Sequence, residues 1–293
     1  MKIITVTLNP CVDVNYTLSA PFEKNKLNRV PAPKIKLCGK GINVSRQLLK
    51  MGKESTVLTI LGSESEAEEL RQEGLCVYAV VQPGKLRRNI SILDSEGGET
   101  QINEPGITVS EEKLREFISL YKSELNCGTD TVVILSGSVP PGIDKSIYKK
   151  LCIIAKNAGA YTVLDADGEA LSAGLDAIPD LIKPNKEEFE AFTKTELTGH
   201  GEGLRLDAVR AALEFARNNN CAVLCTLGED GSVYAGEGGS FMCQARKTEI
   251  KTFKGAGDSF LAAFIAEHKL NGKDCDLSMM LASAAAARSL GEE

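Results

Sequence analysis

Near the end of the chain, Lys254-Gly255-Ala256-Gly257-Asp258-Ser259-Phe260 sets two glycines and a carboxylate at the start of an Ala-rich helical stretch. Glycines just ahead of a helix let an anion approach the free N–H groups of the first turn, where the helix dipole favours negative charge. A carboxylate at that helix start is expected to keep a low pKa and to accept a proton from a bound hydroxyl. The neighbouring amides, Gly255, Ala256 and Gly257, can hold a transferring phosphoryl group. Alcohol phosphorylation needs that pairing. A second segment, Cys38-Gly39-Lys40-Gly41-Ile42-Asn43-Val44, also leads from glycines into a helix.

Other polar residues follow strands. Ile3–Leu8 ends in Asn9-Pro10-Cys11-Val12-Asp13, and Thr131–Leu135 ends in Ser136-Gly137-Ser138-Val139-Pro140-Pro141-Gly142. Leu181–Ile182 runs into Lys183-Pro184-Asn185-Lys186-Glu187-Glu188, and Ala222–Cys225 into Thr226-Leu227-Gly228-Glu229-Asp230-Gly231. In open α/β sheets ligands bind outside the carboxyl ends of the strands, so four such ends on one edge describe a site. Each piece also has a purely structural reading. The two glycine pairs fit tight strand–helix turns, Asp258 a helix N-cap, and Asn185 with Glu188 a capping box. Asp13 suits a turn, Pro140-Pro141-Gly142 a helix entry, and Arg29, Arg87 and Arg88 a solvated surface. No G-x-x-x-x-G-K-[ST] occurs, and Phe260 stands where a third glycine would complete G-x-G-x-x-G, so neither nucleotide fingerprint is present.

The elements that must carry these loops alternate. Strands at Thr131–Leu135, Tyr161–Leu164, Leu181–Ile182 and Ala222–Leu227 are separated by helical patterns at Ile143–Ala158, Lys186–Thr193 and Leu204–Asn218. Such alternation with continuous apolar strands predicts a parallel sheet covered by helices. Gly257–Leu270 and Leu277–Leu290 read as two packed helices. Earlier, helical stretches at Ile42–Met51 and Ser65–Glu73 sit among short strands at Val12–Leu18, Ile35–Leu37, Cys76–Val81, Arg88–Leu93 and Glu99–Ile102. Gly97-Gly98 suits a hairpin turn between the last two. These strands predict a small antiparallel flap inserted into one α/β body.

With 43% hydrophobic and 25% charged residues, 293 residues suffice for a substantial core. The 34 Lys and Arg against 40 Asp and Glu leave a charge of −6, which disfavours nucleic acid. No apolar run has the length of a membrane span, and Met1–Leu8 is followed by Asn9-Pro10 rather than a signal-peptide core. Nine scattered cysteines read as free thiols of a cytoplasmic protein. With two histidines, neither a Cys/His zinc site nor a Ser-His-Asp triad has much to draw on.

Taken together, Asn9-Pro10-x-x-Asp13, Gly39-Lys40-Gly41-Ile42-Asn43 and Gly255-Ala256-Gly257-Asp258-Ser259 resemble, in content and order, the signatures of the ribokinase-like sugar kinases of the PfkB family. The resemblance runs through essentially the whole chain. It implies an α/β fold: a ribokinase-like three-layer sandwich with a mostly parallel central sheet and a small β-sheet lid. The chain is then one kinase domain over residues 1–293, its lid formed by segments near 12–37 and 76–104, with homodimerisation through the lid. The implied substrates are ATP, with Mg²⁺, and a sugar phosphate. Asp258 is the implied proton acceptor and Gly255, Ala256 and Gly257 the anion hole. Asp13, Gly39, Lys40, Asn43 and Ser138 would hold sugar hydroxyls. Arg87, with Arg29 beside it and Arg88 as the alternative register, would meet the substrate phosphate. Asn185 and Glu188 match the motif that organises Mg²⁺ and the nucleotide phosphates, and Thr226, Gly228 and Gly231 match the nucleotide loop.

Within the family, Asn28-Arg29, Gly39–Val44, Ile102–Gly106 and Gly168–Leu171 are most similar to the branch acting on fructose 1-phosphate. Kinases of tagatose 6-phosphate or fructose 6-phosphate are the near alternatives, and a non-catalytic sugar-phosphate sensor is a further one. A nicotinamide-dependent dehydrogenase is disfavoured by the missing third glycine. The chain departs from the pattern at Cys38, where a glycine is usual, at Lys254, and in the short stretch Gly62–Leu75.

Overall fold

In the computed structural model, which describes residues 1–125, 130–246, 248 and 255–291, the chain opens with strand β1 (Lys2–Thr7). It continues through β2 (Cys11–Thr17), β3 (Lys34–Cys38), α1 (Lys40–Lys50), β4 (Thr56–Leu61), α2 (Glu64–Gln72), β5 (Cys76–Val81), β6 (Arg87–Leu93) and β7 (Glu99–Asn103). Then come α3 (Glu111–Leu125), β8 (Thr131–Ser136), α4 (Ile147–Asn157), β9 (Tyr161–Asp165), α5 (Gly168–Leu175), β10 (Leu181–Ile182), α6 (Lys186–Thr193), α7 (Gly201–Asn219) and β11 (Ala222–Thr226). The last elements are β12 (Ser232–Gly236), β13 (Gly239–Cys243), α8 (Ala256–Ile265), a π-helical turn at Ala266–Leu270, and α9 (Cys275–Gly291).

Nine strands form one sheet in the order β13-β12-β11-β10-β9-β8-β1-β4-β5, parallel except where β12 meets β11 and β13. Alternate residues of a strand face opposite sides, and the core divides accordingly. Ile4, Val6, Val133 and Leu135 pack with Phe117, Tyr148 and Phe189 of α3, α4 and α6 on one face. Ile3, Val132 and Ile134 pack with Val44, Leu48, Phe264 and Met279 of α1, α8 and α9 on the other. Helix, sheet, helix: the three-layer α/β sandwich is the fold observed.

The smaller sheet has the order β3-β2-β6-β7 and covers the strand ends. Its register alternates in character. Lys36, Asp13, Asn89 and Asn103 form one cross-strand row, and Ile35, Val14, Ile90 and Ile102 form the next. The expected hairpin at Gly97-Gly98 joins β6 to β7.

Several expectations change. The small sheet is not the antiparallel flap expected but mixed: β2 runs parallel to β6, because the long excursion through α1, β4, α2 and β5 separates the two, while β3 and β7 pair antiparallel at the edges. Cys76–Val81 is not part of the small sheet but the edge strand of the large one, pairing in parallel with β4. Its strictly local pattern of exposed and buried residues resembles that of the lid strands, and only the pairing partner separates them. β4 itself, buried at all six residues, is a core strand the periodicity reading passed over. Pro140-Pro141-Gly142 is not a helix entry: Pro141 accepts the Val109 amide at 2.9 Å, and α4 starts at Ile147.

Candidate active site

Strand ends and lid enclose a cleft of about 490 Å³. Asp13, Gly39, Lys40, Asn43, Arg87 and Ser138 line its lid side and centre, and Asn185, Glu188, Thr226, Gly255, Gly257 and Asp258 its other end. Each reaches it through a local device. Gly255 is the N-cap of α8 with φ of +83°, a left-handed conformation that glycine adopts without strain, so the first-turn amides open toward the cleft. α1 starts against β1: a side chain at Gly41 would lie 2.6 Å from Thr7 Oγ1, and Thr7 Oγ1 accepts the Ile42 amide at 3.1 Å. That close approach sets where Asn43 stands.

Asp258 falls in the first turn of α8, so it is not the N-cap that a local reading allows. It is buried, with 8% exposure, and accepts a hydrogen bond from Asn43 Nδ2 at 2.9 Å. The expectation of a low pKa is overturned. Burial, then the charge of Asp165, push it up to about 6, against the pull of Asn43, Lys40 and Lys183. Desolvation of a carboxylate outweighs the helix-end amides here.

Asp165, at the end of β9, is fully buried and ties two lysines together. Its Oδ1 accepts from Lys40 Nζ at 3.1 Å and lies 3.3 Å from Lys183 Nζ, while Oδ2 has no hydrogen-bond partner among the described residues. Burial alone would raise its pKa, but Lys183 and Lys40 hold it below the usual carboxylate range. Burial alone would lower Lys40, yet Asp165, Glu188 and Asp258 keep it above its ordinary value. Lys183 Nζ is only 3.6 Å from where a side chain at Gly257 would begin, which sets an ammonium beside the helix-start amides. The site thus offers donors for an anion next to a carboxylate able to take a proton.

At the lid side, Arg87 Nε donates to the Asn9 carbonyl at 3.2 Å and its side chain lines the cleft. Arg88 is absent from the cleft lining and pairs with Glu104 at 2.6 Å, so of the two arginines Arg87 is the one that borders the cleft. Asn9 Nδ2 donates to Ser138 Oγ at 3.0 Å and to the Pro105 carbonyl at 3.1 Å, joining three loops. Arg29 is exposed in the segment between β2 and β3 and does not line the cleft. Among the described residues Arg87 therefore borders the cleft without Arg29 beside it.

On the opposite side, Asn185 and Glu188 do form the capping box: the Asn185 amide donates to Glu188 Oε2 at 2.8 Å and the Glu188 amide to Asn185 Oδ1 at 2.7 Å. They line the cleft as well, so the capping role does not take them away from the site. Asn185 bridges Thr226 in parallel, which brings the ends of β10 and β11 side by side. Gly228 and Gly231 bound the turn from β11 to β12 and, like Ala256 in the first turn of α8, lie outside the cleft lining. Lys254 lies outside the described residues. Mg²⁺ takes oxygen ligands and keeps several waters, leaning on one or two carboxylates plus substrate phosphates. Glu188 fits that donor set. Among the described residues no group of three or more His, Cys, Asp and Glu could hold a metal by itself, so an ion here would depend on a ligand's own oxygens.

The sequence reading missed Asp165 and Lys183 as site residues, although both directly follow runs it took for strands. Asn89, Gln101 and Asn103 also line the cleft, and Asn89 Oδ1 is buried without a hydrogen-bond partner among the described residues. Finding them requires the lid's register.

A mostly parallel sheet with a lid, and an acid beside a glycine-lined helix start, define a sugar-kinase architecture. The chain matches the pfkB family carbohydrate kinase model over residues 6–293 and belongs to that family. It is 34% identical over 297 residues to a 1-phosphofructokinase of Rhodobacter capsulatus, covering 100% of this chain and 91% of that protein. It is 27% identical over 294 residues to a 1-phosphofructokinase of Escherichia coli strain K12, covering 99% and 91%. Phosphofructokinase-2 from Escherichia coli, solved in complex with substrates and products, superposes with a TM-score of 0.89 at 26% identity over 99% of this chain and 94% of that one.

Proposed function

We propose that this chain transfers the γ-phosphoryl group of ATP to fructose 1-phosphate, giving fructose 1,6-bisphosphate. The observation that carries the chemistry is Asp258 beside the Gly255–Gly257 helix start, with Lys183 next to the same amides. Asp258 takes the proton of the attacking hydroxyl while the bond from the phosphoryl group to ADP breaks. The amides of Gly255, Ala256 and Gly257 and the Lys183 ammonium stabilise the charge on the moving group. Asp13, Gly39, Lys40, Asn43 and Ser138 hold sugar hydroxyls, and Arg87 meets the phosphate already on the sugar, for which a guanidinium fork is suited. Asn185 and Thr226 serve the nucleotide side. Gly228 and Gly231 shape the turn behind it. Mg²⁺, held through Glu188, neutralises phosphate charge when bound. The lid excludes water, which would otherwise take the phosphoryl group.

The ketohexose assignment is supported by the relatives named 1-phosphofructokinase. A second reading, phosphorylation of a 6-phosphate such as fructose 6-phosphate or tagatose 6-phosphate, is favoured by the close superposition on phosphofructokinase-2. Comparing kcat/KM for the three sugar phosphates decides. The account expects fructose 1-phosphate to be preferred, and a clear preference for a 6-phosphate overturns it. No ADP release with any of the three would leave the sensor reading.

We also infer one domain over the whole chain, acting in the cytoplasm as a homodimer paired through the lid. The free cysteines support the compartment, and no helix among the described residues is long and apolar enough to cross a membrane. The row Ile35, Val14, Ile90 and Ile102 supports the pairing, since Ile35 and Ile102 on the two edge strands are 66% and 54% exposed.

A further inference from the structure

Arg46 lies on α1 three residues after Asn43, on the same helix face, and is only 8% exposed. Its guanidinium spends its donors on four neighbours. Nε and Nη2 reach the two carboxylate oxygens of Glu73 at 2.5 and 2.6 Å, and Nη2 also reaches the Leu37 carbonyl at 2.6 Å. Nη1 donates to Asn43 Oδ1 at 3.1 Å and approaches Cys38 Sγ at 3.7 Å. Asn43 in turn donates through Nδ2 to Asp258 Oδ2 at 2.9 Å. A hydrogen-bonded chain therefore runs from Glu73, at the end of α2, through Arg46 and Asn43 to the proposed base.

We propose that Arg46 is a positioning residue, which fixes the orientation of the Asn43 amide and through it the carboxylate of Asp258. The argument rests on the phosphoryl-transfer reading of Asp258 given above. The two ends of an asparagine amide are nearly the same shape, and only their hydrogen-bond partners tell them apart. Arginine carries donors alone and does not deprotonate in proteins. With a guanidinium on one side, the carbonyl end of Asn43 must face it, and the NH₂ end must face Asp258. The flipped amide would oppose donor to donor at Arg46 and carbonyl oxygen to carboxylate at Asp258. Holding Oδ2 in this way leaves Oδ1 of Asp258 to the substrate hydroxyl. The bond to the Leu37 carbonyl on β3 anchors the same guanidinium to the foot of the lid, so base and lid share one brace.

The alternative is that Arg46 only braces α1, α2 and β3. Arg46→Lys separates the two, because an ammonium keeps a cation against Glu73 but cannot span Glu73, Leu37 and Asn43 at once. The account expects kcat with the sugar phosphate to fall about tenfold or more, within the share a positioned base contributes, with KM changed less than about threefold. It also expects the Asp258 carboxyl, followed by ¹³C NMR titration of the ligand-free chain, to titrate about half a unit or more higher, since Asn43 favours the ionised form. The other charges facing Asp258 (Asp165 raising its pKa, Lys40 and Lys183 lowering it) are untouched by the change.

Unchanged kcat, or a lowered kcat without movement of the Asp258 titration, overturns the proposal. If the lysine is not accommodated, the paired Arg46→Met and Glu73→Gln variant removes the buried guanidinium together with its partly exposed carboxylate partner and is read the same way. Should the unaltered chain turn over no sugar phosphate, the kinase reading fails by itself. The NMR titration still decides whether Arg46 orients Asp258.

Discussion

Asp258 must be shielded from water and yet ionised, and burial works against the charge. The site meets both needs with neighbours: Lys40 and Lys183 compensate the carboxylate, Asn43 bonds to it, and Asp165 keeps the lysines in place while opposing the charge. The consequence for the proposed base is a carboxyl pushed well above the usual carboxylate range. With its pKa pushed up to about 6, Asp258 in that proposed role is competent as the carboxylate above that value and not as the protonated acid below it. kcat/KM is therefore expected to fall as pH drops through about 6, approaching tenfold per unit on the acid side. A pH–rate profile from 5 to 8 checks this, and a profile flat across that span contradicts it. At the same scale, Arg87 and Arg88 are neighbours in sequence with opposite expected effects. Arg87→Ala should raise KM for the sugar phosphate about tenfold or more, as loss of a charge-assisted contact does. Arg88→Ala, whose exposed pair with Glu104 is screened by water, should leave kcat and KM within about twofold.

At the scale of elements, the start of α1 shows how little room the site allows. Gly41 meets Thr7 Oγ1 and the Val6 carbonyl so closely that a side chain there would begin 2.6 and 2.8 Å from them. Gly41→Ala is expected to push α1 off β1, destabilise the chain by about 1–3 kcal/mol and move Asn43 and Lys40 out of place. Thermal melting and kcat report the two effects, and a variant with unchanged melting and turnover contradicts the packing argument. Elements of this kind were legible where chemistry and local pattern coincide. The glycine-to-helix segments, the capping box of Asn185 with Glu188, and α6 stand where spacing predicts them. What depends on pairing was not legible. β5 looks like a lid strand until β4 is seen beside it, and Asn89 and Gln101 acquire a role only once register sets them on the cleft face. Asp165 and Lys183 follow strands as the other site residues do, but an acid and a lysine at separate strand ends do not announce that they share one buried ion pair.

For the whole molecule, the lid has two faces: the row of Asp13, Asn89 and Asn103 borders the cleft, and the row of Ile35, Val14, Ile90 and Ile102 lies on the other face, with Val14 buried and Ile35 and Ile102 exposed at the two edges. Exposed apolar edges of that kind favour burial against a second copy. Light scattering is expected to give twice the chain mass, and Ile35→Lys with Ile102→Lys to shift it toward the monomer; a monomer in the unaltered protein contradicts the pairing. In the proposed mechanism sheet, helices and lid converge on a single event, the removal of a proton from a sugar hydroxyl while a phosphoryl group moves. The direct test is steady-state turnover of fructose 1-phosphate by Asp258→Asn beside the unaltered chain, together with calorimetric binding of the sugar phosphate to both. The account predicts that kcat falls by about 10²–10⁴-fold while the sugar phosphate still binds with little loss. Near-normal turnover in Asp258→Asn would contradict it.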